Sequence, residues 1–538
     1  MNFDTLHNPY GSVRTAVFGR AMVATSQPLA AQAGLDIIKK GGNAIDAAIA
    51  AAACLTVVEP TSNGIGGDVF ALVHSGGKLH GLNGSGRSPQ SISIEAVQNA
   101  GHKDAMPKFG VLPVTVPGQP GAWAALNEKF GKLSLSECLA PAVAYALDGH
   151  PVAPVVGKYW ARAYGAYQAQ MKEKGEQFKP WFDTFSSNID AGRAPNPGEI
   201  WASADHATTL EEIGKTNAKS FYKGSLANEI VNFVKKHDGF LSLEDLAAYE
   251  AMWVDPISTN YHGYDVWQTP PNGQGLVGLI ALNILSKYDL SDFDKNYHIM
   301  FEAMKLAFTA GKAAITDPRH MRVSAQELLS MEYAEKLRQN IGKTAAQPAP
   351  ILPNQGGTVY LAAADDEGNM ISFIQSNYMG FGSGLVVPGT GIGLQNRGAD
   401  FSLDPNHANA LAGGKLTYHT IIPGFLTKGE RAIGPFGVMG GYMQPQGHAQ
   451  VILNTIHKNL NPQQALDAPR WQWMADKRFE VEHHFPRHIA QHLAGLGHQI
   501  STPPDSGGFG RGQIIWRMEN GMLCGGTENR CDGHIAVL

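Results

Sequence analysis

The stretch that most limits how this chain can fold is residues 343–355, KTAAQPAPILPNQ. Alanine, proline and glutamine follow one another there with neither helical nor strand periodicity, which predicts a loop. The loop runs directly into Gly356-Gly357-Thr358 and the apolar run VYLAAA. A polar turn, DDEGN, and a second apolar run, MISFIQS, complete a predicted β-hairpin. A long loop that stops at the first residue of a buried strand suits a chain that is cut at that point.

A threonine that opens a strand is compatible with an ordinary edge residue and also with a nucleophile. Its hydroxyl is weak unless a base stands beside it. If the chain is cut between Gly357 and Thr358, the new α-amino group of Thr358 is that base. With a reference pKa of about 8, much of it is unprotonated near neutrality. The cut itself can be autocatalytic: Thr358 Oγ attacks the Gly357 carbonyl, an ester forms, and water hydrolyses it. Such chemistry also requires donors for an oxyanion. GVMGGYMQPQGH, at 437–448, offers Gly440 and Gly441, whose backbone N–H groups no side chain blocks, although Gly-Gly is also a common turn.

Composition narrows the remaining classes. Hydrophobic residues make up 43% and charged residues 17%, a globular balance rather than a disordered one. A net charge of −5 with no lysine- or arginine-rich block excludes a nucleic-acid footprint. The four cysteines have no metal-ligand spacing and read as reduced thiols. The opening residues contain no continuous apolar run, and Ala44–Val58 is too short to span a bilayer. A cytoplasmic protein without membrane or nucleic-acid partners is expected.

Proline and glycine punctuation predicts helices at Pro28–Lys40 and Ala44–Val58, then a turn, TSNGIGGD, and a hairpin. Further helices are expected near 121–131, 136–147, 225–236 and 293–316, with 445–457 and 486–495 inside a mostly β second part. Two IGKT strings lack the upstream glycine of a phosphate-binding loop, since Leu337 and Thr209 occupy that place. In HHFPRH, Pro486 breaks any helix that would align His483, His484 and His488 on a metal. No metal and no cofactor is expected.

Three segments, GGTVYLAAADDEGN, GFGSGLVVPGTGIGLQNRGADFSL and GVMGGYMQPQGHAQVILN, together with much of the first half, resemble the γ-glutamyltransferase family of N-terminal-nucleophile hydrolases. The resemblance implies an α+β fold, the four-layer αββα sandwich. Residues 1–357 and 358–538 would be two chains of one self-cleaved precursor, forming a single αβ unit, with a dimer of such units as the assembly. It also implies that Thr358 is the nucleophile, that Ser376 orients its hydroxyl, and that Gly440 and Gly441 form the oxyanion hole.

The family's glutamyl-binding positions are largely altered. Where the family has an arginine, GSGRSP places Ser85, and Arg87 is displaced by two residues. Tyr378 stands in place of an asparagine, and His419-Thr420 in place of a serine pair. Asp400, which would hold the glutamyl ammonium, remains, but its partner has become Arg397. A cation there disfavours an α-amino acid and suits an amide that carries a carboxylate and no amine; Arg397 could also simply pair with Asp400. The combination is similar to that of family members acting on oxamate in purine degradation. Hydrolysis of oxamate to oxalate and ammonia is therefore expected, with γ-glutamyl transfer, β-lactam side-chain acylation chemistry and a non-catalytic scaffold as alternatives.

Overall fold

The computed structural model describes residues 14–348 and 357–538. The opening residues 1–13 and the second half of the expected loop, 349–356, lie outside the described residues. Strands β1 (Val17–Gly19), β2 (Met22–Thr25), β3 (Asp68–Ser75), β4 (Lys78–Gly84), β5 (Met252–Val254), β6 (Ile257–Tyr261) and β7 (Tyr264–Gln268) precede the loop. After it come β8 (Gly357–Ala364), β9 (Met370–Tyr378), β10 (Gly424–Lys428), β11 (Arg431–Met439), β12 (Arg511–Arg517), β13 (Leu523–Thr527) and β14 (His534–Val537). They form two seven-stranded sheets, ordered β1-β13-β12-β11-β10-β7-β6 and β14-β2-β8-β9-β3-β4-β5. The expected hairpin is β8–β9, and it occupies the middle of the second sheet.

Period-two alternation assigns each face of that hairpin. Val359, Leu361, Ala363, Ile371 and Phe373 pack outward into a core shared with two helices, α1 (Pro28–Lys39) and α2 (Ala44–Val58). Tyr360, Ala362, Met370 and Ile374 point inward against Phe425, Met439 and Ile515 of the other sheet. The outer face of that other sheet, with Val266, Phe436, Val438 and Ile514, is covered by α3 (Gly275–Leu285), α4 (Tyr297–Ala314) and α5 (Met443–His457). The order of layers is therefore helix, sheet, sheet, helix, as expected. Each fully buried Val, Leu, Ile or Phe in these layers contributes about 1.5–3 kcal/mol.

Both helices at the start form where their caps place them. The side chain of Gln27 accepts from Leu29 N ahead of Pro28, and Asn43 makes a reciprocal capping box with Asp46. All fifteen residues of α2 are buried, and eleven of the fifteen are small enough, as alanine, cysteine, threonine or valine, to let it lie close on β8 and β9. The helix expected over 293–316 instead begins as a 3-10 turn, Phe293–Asn296, and becomes α-helical at Tyr297. Among the described residues no helix is long and apolar enough to cross a membrane.

The two sides of the Gly357–Thr358 bond are interleaved. β8 and β9 are bracketed by β2 and β3, with Leu361 opposite Thr25 and Ser376 opposite Asp68. The first sheet likewise draws β1, β6 and β7 from before the loop. Once cut, the two chains should therefore co-elute in gel filtration and part only in denaturant. Elution of a free 358–538 chain under native conditions would contradict this topology.

Candidate active site

Thr358, Ser376 and Asp68 lie on three neighbouring strands, β8, β9 and β3. In strand alternation all three share the inward face, at the same end of the sheet. All three are fully buried. A register shift between Gly357 and Val359 puts Thr358 at a bulge, where the ladder with β9 is interrupted. The hydroxyl of Ser376 uses its whole hydrogen-bonding capacity there. It donates to the Gly357 carbonyl oxygen at 2.8 Å and accepts the Tyr378 N–H at 2.8 Å. Thr358 Oγ1 is its third partner, 3.0 Å away. With the Ser376 proton on the Gly357 carbonyl, the Thr358 hydroxyl is the donor in that contact. One serine thus polarises the Gly357 carbonyl and fixes the hydroxyl next to it.

Gly357 has a packing reason to be glycine. A Cβ there would stand 2.7 Å from Gly380 N and 3.3 Å from Ser62 Cα. Gly440 and Gly441 follow the end of β11 with φ of +133° and +59°, a region that favours glycine, and their carbonyls accept the first N–H groups of α5. Gln274, just ahead of α3, ties this turn down: its Nε2 donates to Gly441 O at 2.8 Å and to Thr420 O at 2.6 Å.

A buried charged pocket adjoins. Arg397 is 1% exposed, and its guanidinium lies 4.1 Å over the Tyr378 ring. Nη1 donates to Thr420 Oγ1 at 2.7 Å and stands 3.6 Å from Asp400 Oδ2, while Nε is 3.9 Å from Asp68 Oδ2, beyond hydrogen-bond reach. Nε and Nη2, the edge that grips a carboxylate in two places, have no hydrogen-bond partner among the described residues. Asp400 Oδ1 accepts from the hydroxyls of Tyr378 at 2.9 Å and Tyr442 at 2.8 Å. Burial and the Arg397 charge hold the His419 imidazole well below its ordinary pKa. The neutral ring donates from Nε2 to Asp68 Oδ2 at 3.0 Å and accepts Ile421 N–H at Nδ1. Burial pushes Asp68 up to about 7, against the lowering pull of Arg397. The guanidinium thus stands between Asp400, on Nη1, and Asp68, toward Nε, and its Nε–Nη2 edge is buried without a hydrogen bond among the described residues.

Arg87 is placed elsewhere. Its Nη1 donates to Asp317 Oδ2 at 2.7 Å and to Gly414 O at 3.3 Å, and Arg319 shares the same carboxylate. His483, His484 and His488 are exposed. The residues with metal-ligand types in reach of one another are instead His298, Glu302 and His498. There the Lys305 ammonium already stands 2.6 Å from Glu302 Oε1.

Four pocket residues escape a reading of the sequence: Asp68, Gln274, Lys312 and Tyr442. Tyr442 directly follows the Gly440–Gly441 turn, and Asp68 ends the GIGGD turn, so adjacency was the available signal for both. On the other side of Gly357 and Gly440 lies an open cleft of about 530 Å³, with Phe109, Tyr159, Tyr167 and Phe381 in its walls.

A strand-opening threonine against a hydroxyl partner, at the open end between two sheets sandwiched by helices, defines an N-terminal-nucleophile hydrolase. The family described as Gamma-glutamyltranspeptidase matches residues 30–538, and the chain belongs to it. It is 37% identical to the Glutathione hydrolase-like YwrD proenzyme of Bacillus subtilis (strain 168), over 97% of this chain and 99% of that one. To the Oxamate amidohydrolase proenzyme of Klebsiella pneumoniae it is 34% identical, over 96% of this chain and 98% of the other. The crystal structure of cephalosporin acylase from Bacillus halodurans superposes with a TM-score of 0.96 at 58% identity, covering 100% of this chain and 99% of that one. Relatives that are proenzymes imply two self-cleaved chains that form a heterodimer.

Self-cleavage between Gly357 and Thr358 is the outcome expected of the Ser376 geometry. Purified protein should resolve into two chains under denaturing conditions, the smaller beginning Thr-Val-Tyr-Leu, and Thr358→Ala should remain single and inactive. Ser376→Ala should slow cleavage about 100-fold or more, the scale of losing a positioned proton donor, while Ser376→Thr should process. A full-length wild type with full activity would defeat this reading.

Proposed function

We propose that the chain is a self-processing amidohydrolase for amides whose acyl part carries a carboxylate, with oxamate, cleaved to oxalate and ammonia, as the best-fitting substrate. The observation that carries this reading is the Nε–Nη2 edge, or fork, of the buried Arg397 guanidinium, which makes no hydrogen bond among the described residues and lies toward Asp68, the β3 residue paired with Ser376. Buried N–H donors without an acceptor are costly unless a ligand supplies one. An α-amino acid would set its ammonium against the same fork, which is why γ-glutamyl compounds fit less well.

The reaction runs in two halves. The Thr358 amine takes the hydroxyl proton, and Oγ attacks the amide carbon. N–H groups of Gly440 and Gly441 hold the oxyanion. The protonated amine then gives its proton to the departing nitrogen, leaving an acyl-threonine ester. Water, deprotonated by the same amine, cleaves that ester and restores the hydroxyl. Every proton moves through the one α-amino group, so no metal has a step to perform.

One observation favours a second reading. Oxamate releases only ammonia, which has no use for a cleft of about 530 Å³ that reaches Gly357 and Gly440. An amide of a bulky amine would use it, with the far carboxylate of a diacid on Arg397. Cephalosporin acylase is the name of the structural relative at 58% identity.

A panel of oxamate, a glutaryl anilide and a γ-glutamyl anilide separates these readings. Oxamate should be turned over better than the γ-glutamyl anilide. Arg397→Met should lower kcat/KM for the carboxylate amides by about one to four orders of magnitude, the 2–5 kcal/mol of a lost charge-assisted pair. Self-cleavage, which needs no external carboxylate, should persist in that variant. Preference for the γ-glutamyl anilide, or an unaffected Arg397→Met, would remove the carboxylate reading and leave the family intact.

A further inference from the structure

Lys312 is a charged group beside the acyl pocket for which the mechanism above has no use. It projects from α4, on the large-chain side of the cut, toward residues that belong to 358–538. Its ammonium lies 3.9 Å over the Tyr418 ring and 3.8 Å over the Tyr442 ring. It donates to the Tyr442 hydroxyl, which in turn donates to Asp400 Oδ1 at 2.8 Å. Tyr418 is held in place by its own hydroxyl, which donates to Gln274 Oε1 at 3.0 Å.

The charges around the free fork can be read off directly. Arg397 and Lys312 face the two carboxylates Asp68 and Asp400, and His419 is held neutral. Without Lys312, one guanidinium would answer to two carboxylates, and an incoming third would be repelled. Asp400 Oδ2, now 3.6 Å from Arg397 Nη1 and without a hydrogen-bond partner among the described residues, would be drawn onto the guanidinium and take up charge that a substrate carboxylate needs. Lys312 prevents this at one remove, by drawing the Asp400 charge through Tyr442.

We propose that Lys312 is the specificity-determining residue that keeps the Arg397 fork open to a substrate carboxylate, acting as a positioning residue through Tyr442 and Asp400. This rests on the reading of Arg397 as the carboxylate fork. The role carries its own pH signature. Burial lowers Lys312 to about 8, with Asp400 pulling the other way. The other titratable groups facing it are Tyr418 and Tyr442, both raised well above the ordinary phenol value by burial, and His407, which Lys312 itself helps to hold low. As pH rises through about 8 the ammonium is lost, Asp400 goes uncompensated, and KM for a carboxylate amide rises. The Thr358 amine titrates in the same range but acts on kcat, which rises with pH as the amine becomes a free base.

The experiment compares oxamate with its neutral isostere oxamide on processed wild type, Lys312→Met, Lys312→Arg and Tyr442→Phe, each first checked for self-cleavage and co-elution. Lys312→Met should raise KM for oxamate about ten-fold or more, leave KM for oxamide within about two-fold, and abolish the alkaline rise in KM. Lys312→Arg should restore oxamate KM and shift that rise beyond the accessible range, and Tyr442→Phe should follow Lys312→Met in direction. A lysine that merely fastens α4 to the small chain would lower the melting temperature and affect both compounds alike, and that result overturns the proposal. If Lys312→Met does not fold, a wild-type KM for oxamate that is flat between pH 7 and 9, or an alkaline rise in KM that persists in Lys312→Arg, overturns it too. Wild type that cleaves itself but turns over no carboxylate amide defeats the Arg397 reading as well, whereas normal oxamate selectivity in Lys312→Met defeats this inference alone.

Discussion

The hydroxyl of Ser376 is the point on which the site depends. A hydroxyl offers one donor and two acceptor positions, and here all three are filled, by Gly357 O, Tyr378 N–H and Thr358 Oγ1. None of these contacts can be made unless β9 is in register with β8 on one side and β3 on the other. The same register that puts Ser376 opposite Asp68 brings the charged pocket to the nucleophile. A slip of one residue would turn every side chain of β9 to the opposite face and leave Thr358 with no partner.

Around that point the protein accepts an expensive arrangement. Asp68, Arg397, Asp400, His419 and Lys312 are withdrawn from water together, and burial opposes the charge on most of them. Such groups survive inside a protein when each is paired or hydrogen-bonded, and most of the valences here are. Tyr378, Tyr442, Thr420 and Gln274 supply the remainder, as phenols, a hydroxyl and an amide rather than as further charges. The Nε–Nη2 edge of Arg397 and Asp400 Oδ2 are left without a hydrogen-bond partner among the described residues.

The sequence made the strand-opening threonine, the two starting helices and the paired glycines legible because local chemistry fixes them. Pro28 and the Asn43–Asp46 box can be read from neighbouring residues, and the bounds of α2 came out as expected. Helix α3 was not seen, since all eleven of its residues are buried and it has no polar face to set a period. The 21-residue helix Pro154–Lys174 was missed for a different reason: its apolar residues are diluted by lysine, glutamine and glycine, and no cap hydrogen bond marks its start. Arg87 was a candidate only as an arginine displaced by two residues from the family position, which Ser85 fills, and in space it answers to Asp317, which is remote in sequence. Lys312 had no local signal at all, because a lysine on a helix ordinarily reads as a solvated face, and the rings that cover it, Tyr418 and Tyr442, come from a loop and a turn on the other side of the cut.

The interleaving of β8 and β9 between β2 and β3 has a meaning for how activity arises in time. If the chain is cut before Thr358, the amine there does not exist until that bond is broken, and the groups that surround the bond assemble only when both halves of the chain have closed on one another. A nascent, truncated or misfolded copy therefore carries no amine at residue 358 and stays chemically silent. Folding serves as the licence for catalysis, granted once and not revocable, and a small chain made on its own would have a nucleophile but no sheet in which to hold it.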